Sequence, residues 1–312
     1  MSSEFDLIRR HFTRATPGAV LGVGDDAALL ALTPGRQLAV STDMLVSDRH
    51  FFSDTDPDAL GHKAMAVNLS DLAAMGARPR WATLALALPE ADEAWLSAFA
   101  RGLYALADAH GVELVGGDTT RGPRNISITV LGEVGVGQAL RRDAARVGDD
   151  VWVSGALGGA ALALRHLRGE LDLGAEAAHC LERLQRPQPR VELGLRLGDL
   201  AHAAIDLSDG LLADLGHILE RSGVGAVIDC AAIPVAGAFS SFPQHFDACA
   251  LAGGDDYELC FTAASECADA LRQAALECGV AVTRIGQITA TPGLQDAHGR
   301  VFEHTRGYDH FA

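Results

Sequence analysis

Apolar residues along this chain fall into runs of strand and helix length, separated by turns rich in Gly, Asp and Ser. Gln37 to Thr42 reads as a short apolar strand that delivers Asp43 at its end. Lys63 to Met75 reads as a helix, with Ala64, Met65, Leu69, Leu72, Ala73 and Met75 apolar and Gly76 as its stop. On that helix Lys63, Val67 and Asp71 share a face, and Asn68 and Asp71 are neighbours three apart. Trp81 to Leu88 is strand. Asp92 is placed to cap a helix carrying Trp95, Phe99, Leu103 and Leu106 into the core and ending at Gly111. Val112 to Val115 is a strand that delivers Asp118 through a Gly-Gly turn, and Ile126 to Val134 is another.

The stretch from Gly135 to Asp149, rich in Gly, Arg and Asp, marks a boundary. Beyond it Val151 to Ser154 opens a second unit, and Gly155-Ala156-Leu157-Gly158-Gly159 leads into a helix running to about Leu167. Arg186-Pro187-Gln188-Pro189 separates two more helices. Ala204 to Leu207 is strand, Leu211 to Glu220 is a helix stopped by Gly223, and a later helix ends at Leu276-Glu277-Cys278-Gly279. The alternation predicts two α/β domains, 1–140 and 141–312.

Composition narrows the function. The chain has 312 residues, is 48% hydrophobic, and carries 25 basic against 41 acidic residues, a formal net charge of −16. That balance argues against a nucleic-acid or anionic-membrane surface. The start, Met1-Ser2-Ser3-Glu4-Phe5-Asp6, is polar and acidic rather than signal-like. No run approaches membrane-spanning length. Six cysteines in the second half form no C-x-x-C pair, which points to reduced thiols in a cytoplasmic protein.

Six short acidic clusters interrupt this apolar pattern. They are Gly24-Asp25-Asp26-Ala27, Ser41-Thr42-Asp43, Asn68-Leu69-Ser70-Asp71, Gly116-Gly117-Asp118-Thr119-Thr120, Asp206-Leu207-Ser208-Asp209-Gly210 and Gly253-Gly254-Asp255-Asp256. Hard cations such as Mg²⁺ take carboxylate, hydroxyl and carbonyl oxygens, with phosphate completing the shell. Two carboxylates about 5 Å apart repel by roughly 3 kcal/mol at an effective dielectric near 20, so carboxylates converging on one site call for counter-ions. Each cluster taken alone has an ordinary reading as a turn or helix cap. Ser208 or Asp209 is placed to cap the helix at Leu211, and His50 to pack within its loop. Familiar nucleotide motifs are absent. The single lysine, Lys63, sits in Gly61-His62-Lys63-Ala64, which is neither a P-loop nor a kinase strand.

In order, Gly22-Val23-Gly24-Asp25-Asp26-Ala27-Ala28, Ser41-Thr42-Asp43, Ala66 to Ala77, Gly116 to Thr120, Asp206 to Leu211 and Gly253-Gly254-Asp255-Asp256-Tyr257-Glu258-Leu259 resemble the thiamine-monophosphate kinase family. The resemblance runs from Phe5 to Gly307-Tyr308-Asp309-His310-Phe311. It implies a two-domain aminoimidazole ribonucleotide synthetase-like α/β (α+β) fold. In that fold an N-terminal mixed sheet with helices pairs in a homodimer, and a C-terminal α/β domain completes the active site. It implies transfer of the ATP γ-phosphoryl group to thiamine monophosphate with several Mg²⁺ ions. By the same resemblance Asp26, Ser41, Thr42, Asp43, Asp71, Asp118, Asp206 and Asp209 are metal ligands. Gly117, Asp118, Arg142 and Ser208 meet ATP, His50, Asp255 and Tyr308 meet the substrate, and Asp71, Asp118 and Arg142 carry the catalysis. Family members often carry Glu at the Asp255 position, so the reach is shorter here. Thr305 competes with Tyr308 for the C-terminal contact. A dimer is also expected because short N-terminal strands leave sheet edges needing cover.

Two other functions fit the same clusters. One is an ATP-dependent synthetase or cyclase of the same superfamily, and the other a non-catalytic divalent-ion-binding protein. Products with Mg-ATP and thiamine monophosphate separate the first, and absence of nucleotide turnover favours the second.

Overall fold

The computed structural model describes residues 4–302. The chain divides into two compact units, Met1–Leu72 with Ala77–Gly137, and Ala73–Gly76 with Gln138–Ala312.

The first unit is built on a four-stranded mixed sheet. Its strands are β1 (Arg36–Val46), β2 (Arg78–Leu88), β3 (Glu113–Arg121) and β4 (Asn125–Gly135), in the order β1-β4-β2-β3. β4 runs antiparallel to both β1 and β2, and β3 pairs parallel to β2. The strands are 9 to 11 residues long, so the expectation of short strands is corrected. β1 does not stop at Asp43. Met44, Leu45 and Val46 continue it, paired with Ser127, Ile126 and Asn125, so Asp43 sits inside the strand. Nor is Gly116-Gly117 a turn before Asp118. β3 runs through all three residues, and the irregularity is a bulge in which Val115 has no partner between Ala82↔Leu114 and Thr83↔Gly116.

Helix α1 (Glu4–His11) opens the described chain. Helix α2 (Pro57–Ala74) starts six residues before the periodicity suggested, because Asp56 followed by Pro57 is itself a start signal. The Asp56 carboxylate accepts the Ala59 N–H at 3.2 Å. His62 and Lys63 are buried with the apolar residues around them, so α2 is enclosed on all sides. Helix α3 (Glu93–Ala109) begins as expected, with Asp92 accepting from the Ala94 and Trp95 N–H groups. Trp95, Phe99, Leu103 and Leu106 are buried.

Glycine sets the spacing of α2 and α3. A Cβ on Gly61 would lie 2.0 Å from the Phe99 carbonyl oxygen, and one on Gly102 would lie 1.8 Å from that of Asp58. The two backbones touch at this crossing.

One face of the sheet packs on α2. On the other, Leu38, Val40 and Met44 of β1 are 43%, 56% and 53% exposed. Strand alternation puts them on one side, in line with Thr42. The described residues leave this apolar face uncovered.

The second unit holds a six-stranded sheet of β5 (Asp150–Ser154), β6 (Ala203–Asp206), β7 (Gly225–Ile228), β8 (Leu259–Ala263), β9 (Val282–Thr289) and β10 (Gly293–Asp296). The order is β10-β7-β9-β5-β8-β6, antiparallel except for β10 with β7. Its helices are α4 (Gly159–Leu167), α5 (Ala177–Gln185), α6 (Val191–Leu197), α7 (Leu211–Ser222) and α8 (Ala268–Glu277). Gly223, at φ +67°, ends α7 in the left-handed region as the sequence indicated. Val151, Val153, Ile205, Leu215, Ile218, Cys260 and Ile285 belong to one buried cluster of this unit. All six cysteines are free thiols. Among the described residues no helix is long and apolar enough to cross a membrane.

Candidate active site

In the first unit, β1 and the C-terminal end of α2 bring three oxygen-bearing side chains together. The Ser41 hydroxyl donates to the Asp71 carboxylate. Asn68, one turn earlier on α2, accepts the Asp43 backbone N–H at 2.9 Å and donates to Ala64 O at 2.9 Å. Asn68 therefore pins strand to helix where Asp43 and Asp71 face each other. Burial, and then the neighbouring Asp71, push the Asp43 carboxyl up to about 6. Asp71 also lies in the last turn of α2, which carries no basic residue. The negative end of a helix dipole is a poor place for two carboxylates.

The donor set suits a hard cation. It offers two carboxylates and a hydroxyl at the end of a helix whose last turn carries no basic residue. Among the described residues no three His, Cys, Asp or Glu side chains are grouped closely enough to hold one ion. Mg²⁺ needs no such cage, since it commonly uses one or two carboxylates together with water and substrate phosphate. Thr42 does not join its neighbours. Its side chain points to the opposite face of β1, where its hydroxyl is 2.8 Å from that of Thr129. Its backbone is paired with Thr129 in the ladder, so Thr42 brings no side chain to Ser41 and Asp43.

A cavity of about 360 Å³ in the same unit is lined by Ile8 and Phe12, by Val23 to Ala28, and by β2 and β3 from Thr83, Leu84 and Leu114 to Thr119. Asp26, Gly117 and Asp118 are thus brought to one wall system. Gly117 is held at φ +145°, and a Cβ there would meet the Leu84 carbonyl oxygen at 1.9 Å. Position 117 needs glycine for β3 to lie against β2 there, immediately before Asp118. Asp25 is engaged locally, accepting the Asp26 N–H at 2.9 Å. His50 is half-buried, and its Nδ1 accepts the Val46 N–H at 3.1 Å. In a neutral ring the proton then sits on Nε2.

In the second unit, Asp206 ends β6 and is buried, while Ser208 is exposed and Asp209 half-buried. Neither Ser208 nor Asp209 caps α7. The cap comes from inside the helix, where Asp214 accepts the N–H groups of Ser208, Asp209 and Gly210 at 3.0, 3.1 and 3.1 Å. Burial nonetheless pushes its carboxyl up to about 7, with Asp209 adding to the rise and the three N–H donors opposing it.

The segment from Gly253 to Glu258 lies against this loop. Asp255 N donates to Ser208 O at 2.9 Å, and Tyr257 N donates to Leu207 O at 2.8 Å. Asp255 is held at φ +67°, and its carboxylate accepts the Tyr257 hydroxyl at 3.1 Å. Buried Asp256 accepts the Gly158 N–H, so the Gly158-Gly159 turn packs rather than offering that donor to phosphate. Glu258, fully buried, accepts from Arg183, from the Arg190 Nε and from the Ser154 hydroxyl, each at 2.6 Å. The two guanidiniums hold its carboxyl below the usual range against the opposing effect of burial. Arg142 is exposed and, among the described residues, no partner holds its guanidinium, whereas Arg141 pairs with Asp143.

Residues 24–134 match AIR synthase related protein, N-terminal domain, and residues 146–298 match its C-terminal domain. A thiamine-monophosphate kinase of Salmonella typhimurium is 46% identical, over 99% of this chain and 98% of its own length. The crystal structure of thiamine-monophosphate kinase from Stenotrophomonas maltophilia K279a is 52% identical, with 95% of each chain covered and a TM-score of 0.87. The chain belongs to the thiamine-monophosphate kinase family. A third member, AaThiL complexed with AMPPCP and TMP, is 30% identical over 98% of this chain and 96% of its own, at a TM-score of 0.79.

Membership leaves each residue's placement to the geometry. Ser41, Asp43 and Asp71 come together, as do Asp26, Gly117 and Asp118, and as do Asp206, Ser208, Asp209 and Asp255. Thr42 turns its hydroxyl away. Tyr308 and Thr305 lie outside the described residues. Sequence reasoning passed over Ile8 and Phe12, whose spacing of four places them on one helix face. It also passed over Asp214 and Tyr257, which position candidate ligands without being among them.

Proposed function

We propose that this chain phosphorylates thiamine monophosphate with ATP, giving thiamine diphosphate by direct in-line transfer. The observation that carries the reading is the Ser41–Asp43–Asp71 oxygen cluster at the end of α2, in a chain related over its full length to thiamine-monophosphate kinases. AMPPCP and TMP, bound by the related AaThiL, are a triphosphate-donor analogue and a monophosphate acceptor.

The acceptor phosphate has a second pKa near 6, so it is largely ionised at neutral pH and needs no protein base. What must be overcome is repulsion between two anions and their misorientation. Mg²⁺, when bound, neutralises charge on the phosphates and orients them. Asp43 and Asp71, with the Ser41 hydroxyl, would hold a cation in the first unit, and Asp26 and Asp118 would supply carboxylates from the walls of the cavity. Gly117 keeps β3 against β2 at the cavity wall and meets the nucleotide through its backbone. In the second unit Asp206 and Asp209 would be the cation ligands, Ser208 would meet ATP, and Asp255, fixed by Tyr257, would meet the substrate. Arg142, exposed and unengaged by described residues, stabilises the transferring group. His50, whose Nδ1 accepts the Val46 N–H, meets the substrate as a binding contact rather than as a base.

The protein acts as a homodimer in the cytoplasm. The uncovered apolar face of β1 supports the dimer, and the free thiols support a reducing compartment. Mass spectrometry after incubation with Mg-ATP and thiamine monophosphate tests the proposal. ADP with thiamine diphosphate is expected. ADP with free phosphate and unchanged thiamine monophosphate would refute it in favour of another reaction.

A further inference from the structure

We infer that Asp214 is a positioning residue: its buried carboxylate fills the backbone cradle of Ser208, Asp209 and Gly210, so that this loop presents side chains instead of amides to its ligand. The inference rests on the proposed kinase reading for its functional consequence, and on geometry for its mechanism.

Successive backbone N–H groups converging at the start of a helix form a cradle for an anion. Here all three point at one atom, Asp214 Oδ2, at 3.0 to 3.1 Å. Asp214 is 3% exposed, so no external anion competes on equal terms. The other polar groups of the loop are committed as well. Leu207 N donates to Glu258 O at 2.8 Å, Leu207 O accepts from Tyr257 N at 2.8 Å, and Ser208 O accepts from Asp255 N at 2.9 Å. Close packing removes the remaining freedom. Gly210 sits at φ +115°, with the Ala252 carbonyl carbon 2.8 Å from where a Cβ would be, and a Cβ on Gly254 would lie 2.2 Å from Ser208 O.

With the amides occupied, only the Ser208 and Asp209 side chains face outward from the loop. A phosphate at this loop must therefore be reached through the Ser208 hydroxyl and through a cation on Asp209. Asp214 fixes the direction of both without touching either ligand. Residues that orient a metal ligand typically change metal affinity by about 10- to 100-fold when replaced.

Amide hydrogen exchange on the full chain, without metal or nucleotide, tests the cradle directly. Asp214→Ala is expected to lose protection at residues 208–210, and inorganic phosphate is expected to restore it by entering the vacated cradle. Asp214→Glu, which keeps the charge, should retain more protection than Asp214→Ala. In turnover assays the Mg²⁺ concentration for half-maximal rate should rise at least about tenfold in Asp214→Asn, while KM for thiamine monophosphate stays within about twofold. Unchanged protection at 208–210 in Asp214→Ala would overturn the cradle. Lost protection with unchanged Mg²⁺ dependence would reduce Asp214 to a structural cap and overturn the positioning role. If Asp214→Ala does not fold, Asp214→Ser, whose hydroxyl is too short to reach the three amides, carries the exchange measurement under the same criteria. If the parent chain fails to turn over thiamine monophosphate, the kinase reading fails, and the exchange result still decides the cradle.

Discussion

Replacing Asp43 with Asn should make the metal-free protein more stable while removing its activity. Asp43 sits inside β1, facing Asp71 at the negative end of α2, and its carboxyl is pushed from an ordinary 3.8 up to about 6. A group whose folded pKa lies above its unfolded value binds its proton more tightly in the folded state. Stability therefore falls as pH rises from about 4 through about 6, and the loss is complete near neutrality. A displacement of this size corresponds to at most about 3 kcal/mol, less whatever water in the partly open site screens. Asn has nearly the same shape and no charge, so it escapes this penalty. Urea denaturation in the presence of a chelator, followed by the fluorescence of Trp81 and Trp95, should show Asp43→Asn more stable than the parent by about 1–3 kcal/mol near pH 7.5. Near pH 4.5 the difference should be small. Saturating Mg²⁺ should reverse the order, because it stabilises the parent by mass action and has lost a ligand in the variant. A variant equal to or weaker than the parent in chelator near pH 7.5 would refute the electrostatic argument.

Three further outcomes follow from packing and charge. Gly102→Ala places a methyl 1.8 Å from the Asp58 carbonyl oxygen. It should cost about 1–3 kcal/mol or more in thermal or urea unfolding, and a neutral result would mean that the α2–α3 crossing yields easily. Glu258→Gln leaves Arg183 and Arg190 without their buried carboxylate and should destabilise the second unit by about 3–5 kcal/mol, read by Trp152 fluorescence. Val40→Glu charges the exposed apolar face of β1. Sedimentation should show the parent as a dimer and the variant as a monomer, and a parent that is monomeric at micromolar concentration removes the role proposed for that face.

The sequence was most readable where a local chemical signal stood at the end of an element. Asp92 before α3 and Gly223 after α7 are such signals, and the structure places both as caps. Interiors were harder. α2 begins at Pro57, earlier than the apolar pattern from Lys63 suggests, because Asp56-Pro57 is the start signal, and the polar His62 and Lys63 inside it are buried. β1 runs straight through Asp43, because a carboxylate facing a ligand site does not interrupt backbone pairing. β7 to β10 went unread because each pairs with distant strands, and runs as short as Gly225–Ile228 carry no periodicity of their own. The ligand clusters were visible as acidic residues beside Gly and Ser. Their grouping was not, since Ser41 and Asp71 meet only through the packing of α2 on β1. One signal was available and overlooked. Alternation along a strand already separates the Thr42 hydroxyl from its two neighbours. Asp214 was legible in principle as an acid in the first turn of α7, although that its carboxylate reaches back across three amides is a property of the folded loop.

The crossing of α2 and α3 has a mechanical consequence. At Gly61 and Gly102 the helices meet backbone to backbone, with no side chain between them to change rotamer. A joint of this kind has no play. Asp71 lies ten residues beyond Gly61 on the same rod, about 15 Å along its axis at the usual helical rise. A small tilt of α3 would therefore arrive at the carboxylate undamped, and with leverage. Substitutions on the far side of α3, remote from any ligand, should register first as altered alignment of Asp71 with Asp43, before they register as lost stability.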